Sequence, residues 1–242
     1  FTPVIMVVAI IGIIYGALVA MVQTDAKKLV AYSSVSHLGF VMLGIFAFTI
    51  QGWQGAMMIM IGHGISTSAL FLMIGMLYDR RHTREIAKFG GLWKVMPAFS
   101  VIFMIVCFSS LGLPGTNGFI GEFLVLIGTF ISSIGHARVY ATLAMLGVIL
   151  GAVYLLWMYQ RVCFGDVVHE ENKKLHDLSV REYALVTPFL ILIFLLGFYP
   201  KILTEKTEAT MHKYLNNQKA AVEQAKTKKN NGPMMTNQPI PY

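Results

Sequence analysis

Residues 99–130 constrain this chain more than any other stretch, because they are apolar throughout and their only charged side chain is Glu122. As one helix, a run of ~32 residues would span ~48 Å, well beyond a hydrocarbon core of about 30 Å. Pro114 has no backbone N–H, and Gly115 and Gly118 tolerate any φ, so a helix break is predicted at these positions. Non-helical backbone at membrane depth persists only where protein or water satisfies it, which places the break inside a helix bundle. Glu122 lies about eight residues, or ~12 Å, before Phe130, too deep for a short side chain to reach the headgroups. A carboxylate kept at that depth is a functional candidate by default.

The rest of the chain supports a membrane setting. Of its 242 residues, 56% are hydrophobic and only 13% charged, about half the charged fraction of a soluble domain. About six transmembrane segments are predicted, at residues 2–22, 29–50, 53–78, 99–130, 139–160 and 183–199, with the fourth discontinuous. This is an all-α integral membrane protein. Gly12 and Gly16, and Gly147 and Gly151, have the small-xxx-small spacing of close helix contacts. An apolar start at Phe1, without an initiator Met, basic region or cleavage site, predicts that upstream chain is missing or carried separately.

Charge sets an orientation. The loops after segments one, three and five collect Lys27, Lys28, Arg80, Arg81, Arg84, Lys88, Lys94, Arg161, Lys173, Lys174 and Arg181, whereas those after two and four hold only Arg138. The positive-inside rule predicts that the first set is cytoplasmic and that both ends face the opposite side. The boundaries predicted are 1–164 for a five-helix unit, 165–182 for a cytoplasmic loop, 183–203 for the last helix and 204–242 for a polar tail. Part of residues 206–226 reads as a surface helix, and the far end as extended or disordered. The net charge of +7 resides in loops and tail, which favours lipid headgroups over nucleic acid as partners. Cys107 and Cys163 form no metal or redox motif and read as inert packed thiols.

Counting along the helices puts His37, His63 and Glu122 at one level, each ~14–15 Å into a ~30 Å core. Neutral imidazole accepts at one nitrogen and donates at the other, so two histidines beside a carboxylate make a proton path. Hydroxyls at Ser33, Ser34, Ser36, Ser66, Thr67, Ser68, Ser109, Ser110 and Thr116 are placed to hold water between them. The plainer alternative is a pair of helix–helix hydrogen bonds with no proton traffic. A haem held by both histidines is opposed by the bulky or polar groups around His37 and by the absence of a second such pair. Lys27 and Lys28 stand as either the mouth of the path or interfacial anchors.

Three stretches resemble the M-type antiporter-like membrane subunit of respiratory complex I, the NADH:quinone oxidoreductase. They are QTDAKKLVAYSSVSHLGF over residues 23–40, LYDRRHTR over 77–84 with GGL at 90–92, and LPGTNGFIGEF over 113–123. The resemblance covers nearly all of residues 1–203 and fails in the tail. It implies a subunit of two inverted five-helix repeats, each with a discontinuous helix, of which segments one to five are the second repeat and segment six the final helix. It also implies that Glu122 is a proton-pathway carboxylate, with His37 and His63 on the same central polar axis. Related cation/proton antiporter subunits usually carry Lys where this chain has Glu122. The family's first repeat, with its own titratable residues, has no counterpart here, so the missing N-terminal half and other membrane-arm subunits are implied partners.

The expected function is proton translocation driven by redox energy from other subunits, by a non-catalytic chain that carries no cofactor. The alternatives are a subunit of a multi-subunit Na⁺(K⁺)/H⁺ antiporter or a membrane-bound hydrogenase-type complex, and a structural anchor. An energy-transducing membrane is implied, the bacterial inner membrane first.

Overall fold

Several of the helices start where a side chain accepts from free backbone N–H groups. The computed structural model describes residues 1–230. Helix α1 (Thr2–Met21) is followed by α2 (Ala26–Phe46), whose first turn is capped by Asp25 Oδ1 accepting from the amides of Lys27 (2.8 Å) and Lys28 (3.2 Å). The second segment therefore begins earlier than residue 29 and ends before 50, where Phe48 takes a positive φ of 51°. Helix α3 (Ile50–Arg81) is capped by Thr49 Oγ1, which accepts from the Gly52 amide, and it stops where His82 turns left-handed. At 32 residues it is longer than the 53–78 expected.

A 3₁₀ turn (Ile86–Lys88) and short α4 (Leu92–Val95) lead to α5 (Pro97–Ser110). Pro97 occupies the first helical position, where its missing N–H costs nothing, and Asp177 accepts from the amides of Ala98 (2.8 Å) and Phe99 (3.0 Å). The chain then leaves helical geometry over residues 111–116 and resumes as α6 (Asn117–Phe130). The break thus contains Pro114 and Gly115, but Gly118 lies inside α6. A Cβ at Gly118 would collide with the Ser109 carbonyl, so that position serves close approach, not a turn. The left-handed position that sequence reading overlooked is Gly112, with φ +79°.

Helices α7 (Ala137–Cys163), α8 (Glu170–Lys173), α9 (Val180–Phe198) and α10 (Lys201–Asn230) complete the described chain. Among the described residues five helices, α1, α2, α3, α7 and α9, are long and apolar enough to cross a membrane, and α5 with α6 makes a discontinuous sixth crossing. Residues 204–230 of the tail are helical, beyond the 206–226 expected, because no Gly or Pro interrupts residues 201–230. The extended far end expected from sequence falls on residues 231–242, outside those described.

The loops after α1, α3 and α7 meet at one end of the bundle. The Ala26 amide donates to the Arg84 carbonyl (2.9 Å) and Asn172 Nδ2 to the Lys88 carbonyl (3.1 Å). Lys94 Nζ lies 2.6 Å from Asp166, and this hydrogen-bonded ammonium holds the Asp166 carboxyl below its ordinary range. At the same end Arg80 grips Glu182 through both terminal nitrogens (2.5 and 2.7 Å), joining α3 to the start of α9. The loops after α2 and α6 meet at the other end, where Thr49 donates to the Gly128 carbonyl and Ser132 to that of Ala47.

Between the ends the core divides in two. One apolar cluster, around Leu29, Leu70, Phe103 and Met158, fills the half with the basic loops. The other, around Met6, Phe40, Leu43 and Val125, fills the opposite half. A polar belt separates them, holding Ser36, His37, Ser66, Ser109, Ser110, Asn117 and Glu122, all buried. Of the paired glycines, Gly16 and Gly147 sit at tight helix contacts; Gly12 and Gly151 do not.

Candidate functional site

The belt is assembled by a close approach of α3 to α6. A Cβ at Gly55 would lie 2.6 Å from the Val125 amide, and one at Gly121 would lie 2.9 Å from the Ile59 amide, so both positions require the missing side chain. With the backbones this near, the first turns of α6 face the middle of α3, and α2 closes the third side.

Glu122 is 6% exposed and His37 is 8% exposed, and Glu122 Oε1 lies 3.1 Å from His37 Nδ1. The His37 and His63 rings follow at 4.8 Å between centroids, tilted by 38°. On its far side His63 meets Ser34 Oγ through Nε2 (3.0 Å) and Thr67 Oγ1 through Nδ1 (3.0 Å). Glu122, His37 and His63 therefore form one contiguous run from the discontinuous helix through α2 to α3. Two imidazoles 4.8 Å apart are neighbours in direct contact, leaving no room for a porphyrin plane between them.

Beside this run a second network pins the break. Asn117, wholly buried in the first turn of α6, donates from Nδ2 to the Gly62 carbonyl (2.9 Å) and accepts at Oδ1 from Ser66 (3.2 Å) and Ser109 (2.5 Å). The amide thus ties α6 to α3 and to the end of α5. Glu122 Oε2 points at the break itself, since a Cβ at Gly112 would stand 2.8 Å from it. A cavity of about 20 Å³ lies where the two networks meet, lined by His37, Gly62, His63, Ser66, Ser110 and Glu122 among others. Among the described residues His37 Nε2 and Ser110 Oγ are buried there without a hydrogen-bond partner. A polar space of this size accommodates about one water molecule.

The other sequence candidates divide. Ser34, Ser66, Thr67, Ser109 and Ser110 belong to the belt networks or line the cavity. Ser33 bonds the carbonyl of Val30 in its own helix, Ser36 ties α2 to the Ile13 carbonyl of α1, Thr116 closes the turn onto Leu113, and Ser68 is exposed. Lys27 and Lys28 are exposed in the first turn of α2, about 14 Å of helix from His37, and are not part of the cluster. Among the described residues no group of three or more His, Cys, Asp or Glu side chains is placed to hold a metal ion. Sequence reading missed Asn117 and Gly112; the one available signal was their place in the polar, glycine-rich interruption of an apolar run.

Residues 1–149 match the family described as "NADH:quinone oxidoreductase/Mrp antiporter, TM". The NADH-quinone oxidoreductase subunit M of Rhodobacter capsulatus is 47% identical over 205 residues, 84% of this chain and 39% of that protein. The NADH-ubiquinone oxidoreductase chain 4 of Marchantia polymorpha is 45% identical over 205 residues, 85% of this chain and 41% of that protein. The chain thus spans about two-fifths of the length of these relatives. Among solved structures, a chain of respiratory complex I from Thermus thermophilus superposes with a TM-score of 0.83 at 30% identity, covering 89% of this chain and 44% of that one. A chain of the Mrp complex from a Dietzia species superposes at 0.74 with 20% identity, covering 85% of this chain and 46% of that one, a likeness of fold alone.

Proposed function

Because the chain belongs to the NADH:quinone oxidoreductase/Mrp antiporter transmembrane family, we propose that it moves protons within the membrane arm of a respiratory NADH:quinone oxidoreductase. The observation that carries this reading is the 3.1 Å contact of Glu122 with His37 inside a belt that divides the apolar core. Buried polar groups in a membrane bundle are costly, and a contiguous run of titratable ones is the arrangement a proton relay requires.

In the proposed mechanism the Glu122 carboxylate takes up a proton and passes it to His37 Nδ1. The His37 ring releases one from Nε2 into the cavity beside it, where one water relays it onward. His63, held between Ser34 and Thr67, carries it across α3. No bond other than O–H and N–H forms or breaks in this chain. Redox energy from other subunits reaches it as a change of charge beside the belt, which alters the proton affinity of Glu122. Residues 1–164 are proposed as the second of two five-helix repeats and α9 as the final helix, completed by an N-terminal half and neighbouring membrane-arm subunits. The loops after α1, α3 and α7 are assigned to the cytoplasm of an energy-transducing membrane, foremost the bacterial inner membrane, and the C-terminal end to the opposite side. Lys27 and Lys28 serve as anchors at the cytoplasmic surface.

The test is Glu122→Gln in the whole complex, reconstituted in sealed vesicles with a pH-sensitive dye. Fewer protons moved per NADH oxidised, with assembly intact, is the expected result. An unchanged ratio overturns the proposal.

A further inference from the structure

At the basic end of the bundle a groove of about 490 Å³ opens between α2 and α3, lined by Lys27, Phe71, Ile74, Gly75, Tyr78 and Arg84. The four α3 residues follow i, i+3, i+4, i+7 spacing, so they form one stripe running ~10 Å down the helix from Tyr78 to Phe71. Gly75 lies in the middle of this stripe, and a Cβ added there meets nothing within 4 Å. The floor is apolar and open. The rim is cationic: Lys27 Nζ has no carboxylate within 4 Å among the described residues, and Arg84 reaches Asp25 through Nε at 3.4 Å. Arg84 also lies over the Tyr78 ring, 5.6 Å from its centroid, and among the described residues its terminal nitrogens make no hydrogen bond.

We propose that this groove is a binding site for one anionic phospholipid, its phosphate held between Lys27 and Arg84 and an acyl chain lying over Gly75 against Phe71 and Ile74. The charge complementarity supports this occupant: two cations at the headgroup level stand above an apolar channel directed into the hydrocarbon, with Tyr78 at the boundary where aromatic rings prefer to sit. An apolar protein helix would leave Lys27 without a partner and Arg84 with Asp25 alone, whereas a phosphate diester engages both through charge-assisted hydrogen bonds. The proposal rests on the chain crossing a membrane and not on the proton relay.

The test uses the whole complex, delipidated and then given dioleoyl phosphatidylglycerol or dioleoyl phosphatidylcholine, with bound lipid counted by native mass spectrometry. The unmodified complex is expected to retain one more phosphatidylglycerol per copy than the Gly75→Leu variant, whose side chain starts from a Cβ that meets nothing within 4 Å and occupies the open floor. Lys27→Gln and Arg84→Gln are each expected to weaken phosphatidylglycerol binding about fivefold and to leave phosphatidylcholine binding unchanged. Equal phosphatidylglycerol counts in the unmodified complex and all three variants overturn the proposal. So does a photo-reactive benzoylphenylalanine at position 75 that crosslinks to protein in place of lipid in the assembled complex.

Discussion

Glu122 Oε1 and His37 Nδ1 lie 3.1 Å apart across the gap between the discontinuous helix and α2, and both side chains are buried. The carboxylate has one partner on a neighbouring helix, and its second oxygen faces Gly112 in the break. Removing the imidazole therefore strands a buried acceptor. His37→Leu is expected to destabilise the assembled complex by about 1–3 kcal/mol, the cost of an unsatisfied buried group. His37→Gln, which keeps a donor, is expected to cost less and still to slow proton transfer, because an amide does not titrate. Thermal unfolding followed beside vesicle acidification separates the two effects.

Gly112 is expected to tolerate no side chain. Its φ of +79° costs an L-residue about 1–2 kcal/mol, and a Cβ would press on Glu122 Oε2 from 2.8 Å. Gly112→Ala should lower both the melting temperature and the proton yield per NADH. Gly64→Ala, where a Cβ meets nothing within 4 Å, serves as the control and should change neither.

Asn117 holds the break by three hydrogen bonds to α3 and α5. In Asn117→Leu the Ser66 and Ser109 hydroxyls, 2.7 Å apart, are freed to pair with each other, but the Gly62 carbonyl loses its side-chain donor. The expected loss is about 1–3 kcal/mol, read as faster amide hydrogen exchange at the start of α6 than elsewhere in that helix.

Much of the bundle could be read from hydropathy and charge, because the bilayer demands long apolar runs and the basic residues concentrate in alternate loops. The break was placed by Pro114 and Gly115, residues whose backbone chemistry acts locally. Gly118 misled because glycine also serves close packing, and only the neighbouring Ser109 carbonyl shows which use applies. Counting rises along helices gave His37, His63 and Glu122 a common depth. It could not say which faces they present, since that depends on the crossing of α3 and α6 at Gly55 and Gly121. Asn117 was invisible for the same reason: its three partners come from residues 62, 66 and 109, gathered by tertiary packing.

The end of α3 and the start of α5 are secured by two acids, Glu182 in the first turn of α9 and Asp177 just before that helix. Asp177→Ala removes the cap from the Ala98 and Phe99 amides and should cost about 1 kcal/mol. The two-pronged Arg80–Glu182 pair is partly shielded, with side chains 18% and 16% exposed. A double-mutant cycle on Arg80→Met and Glu182→Gln, read by thermal unfolding, should give a coupling of about 1–2 kcal/mol.

Whether Glu122 gains and loses a proton during turnover is decided most directly by infrared difference spectroscopy of the complex on NADH addition. A carboxyl C=O band that appears and decays with turnover, and is missing from the Glu122→Gln complex, is the predicted result. A spectrum unchanged by that substitution contradicts the account.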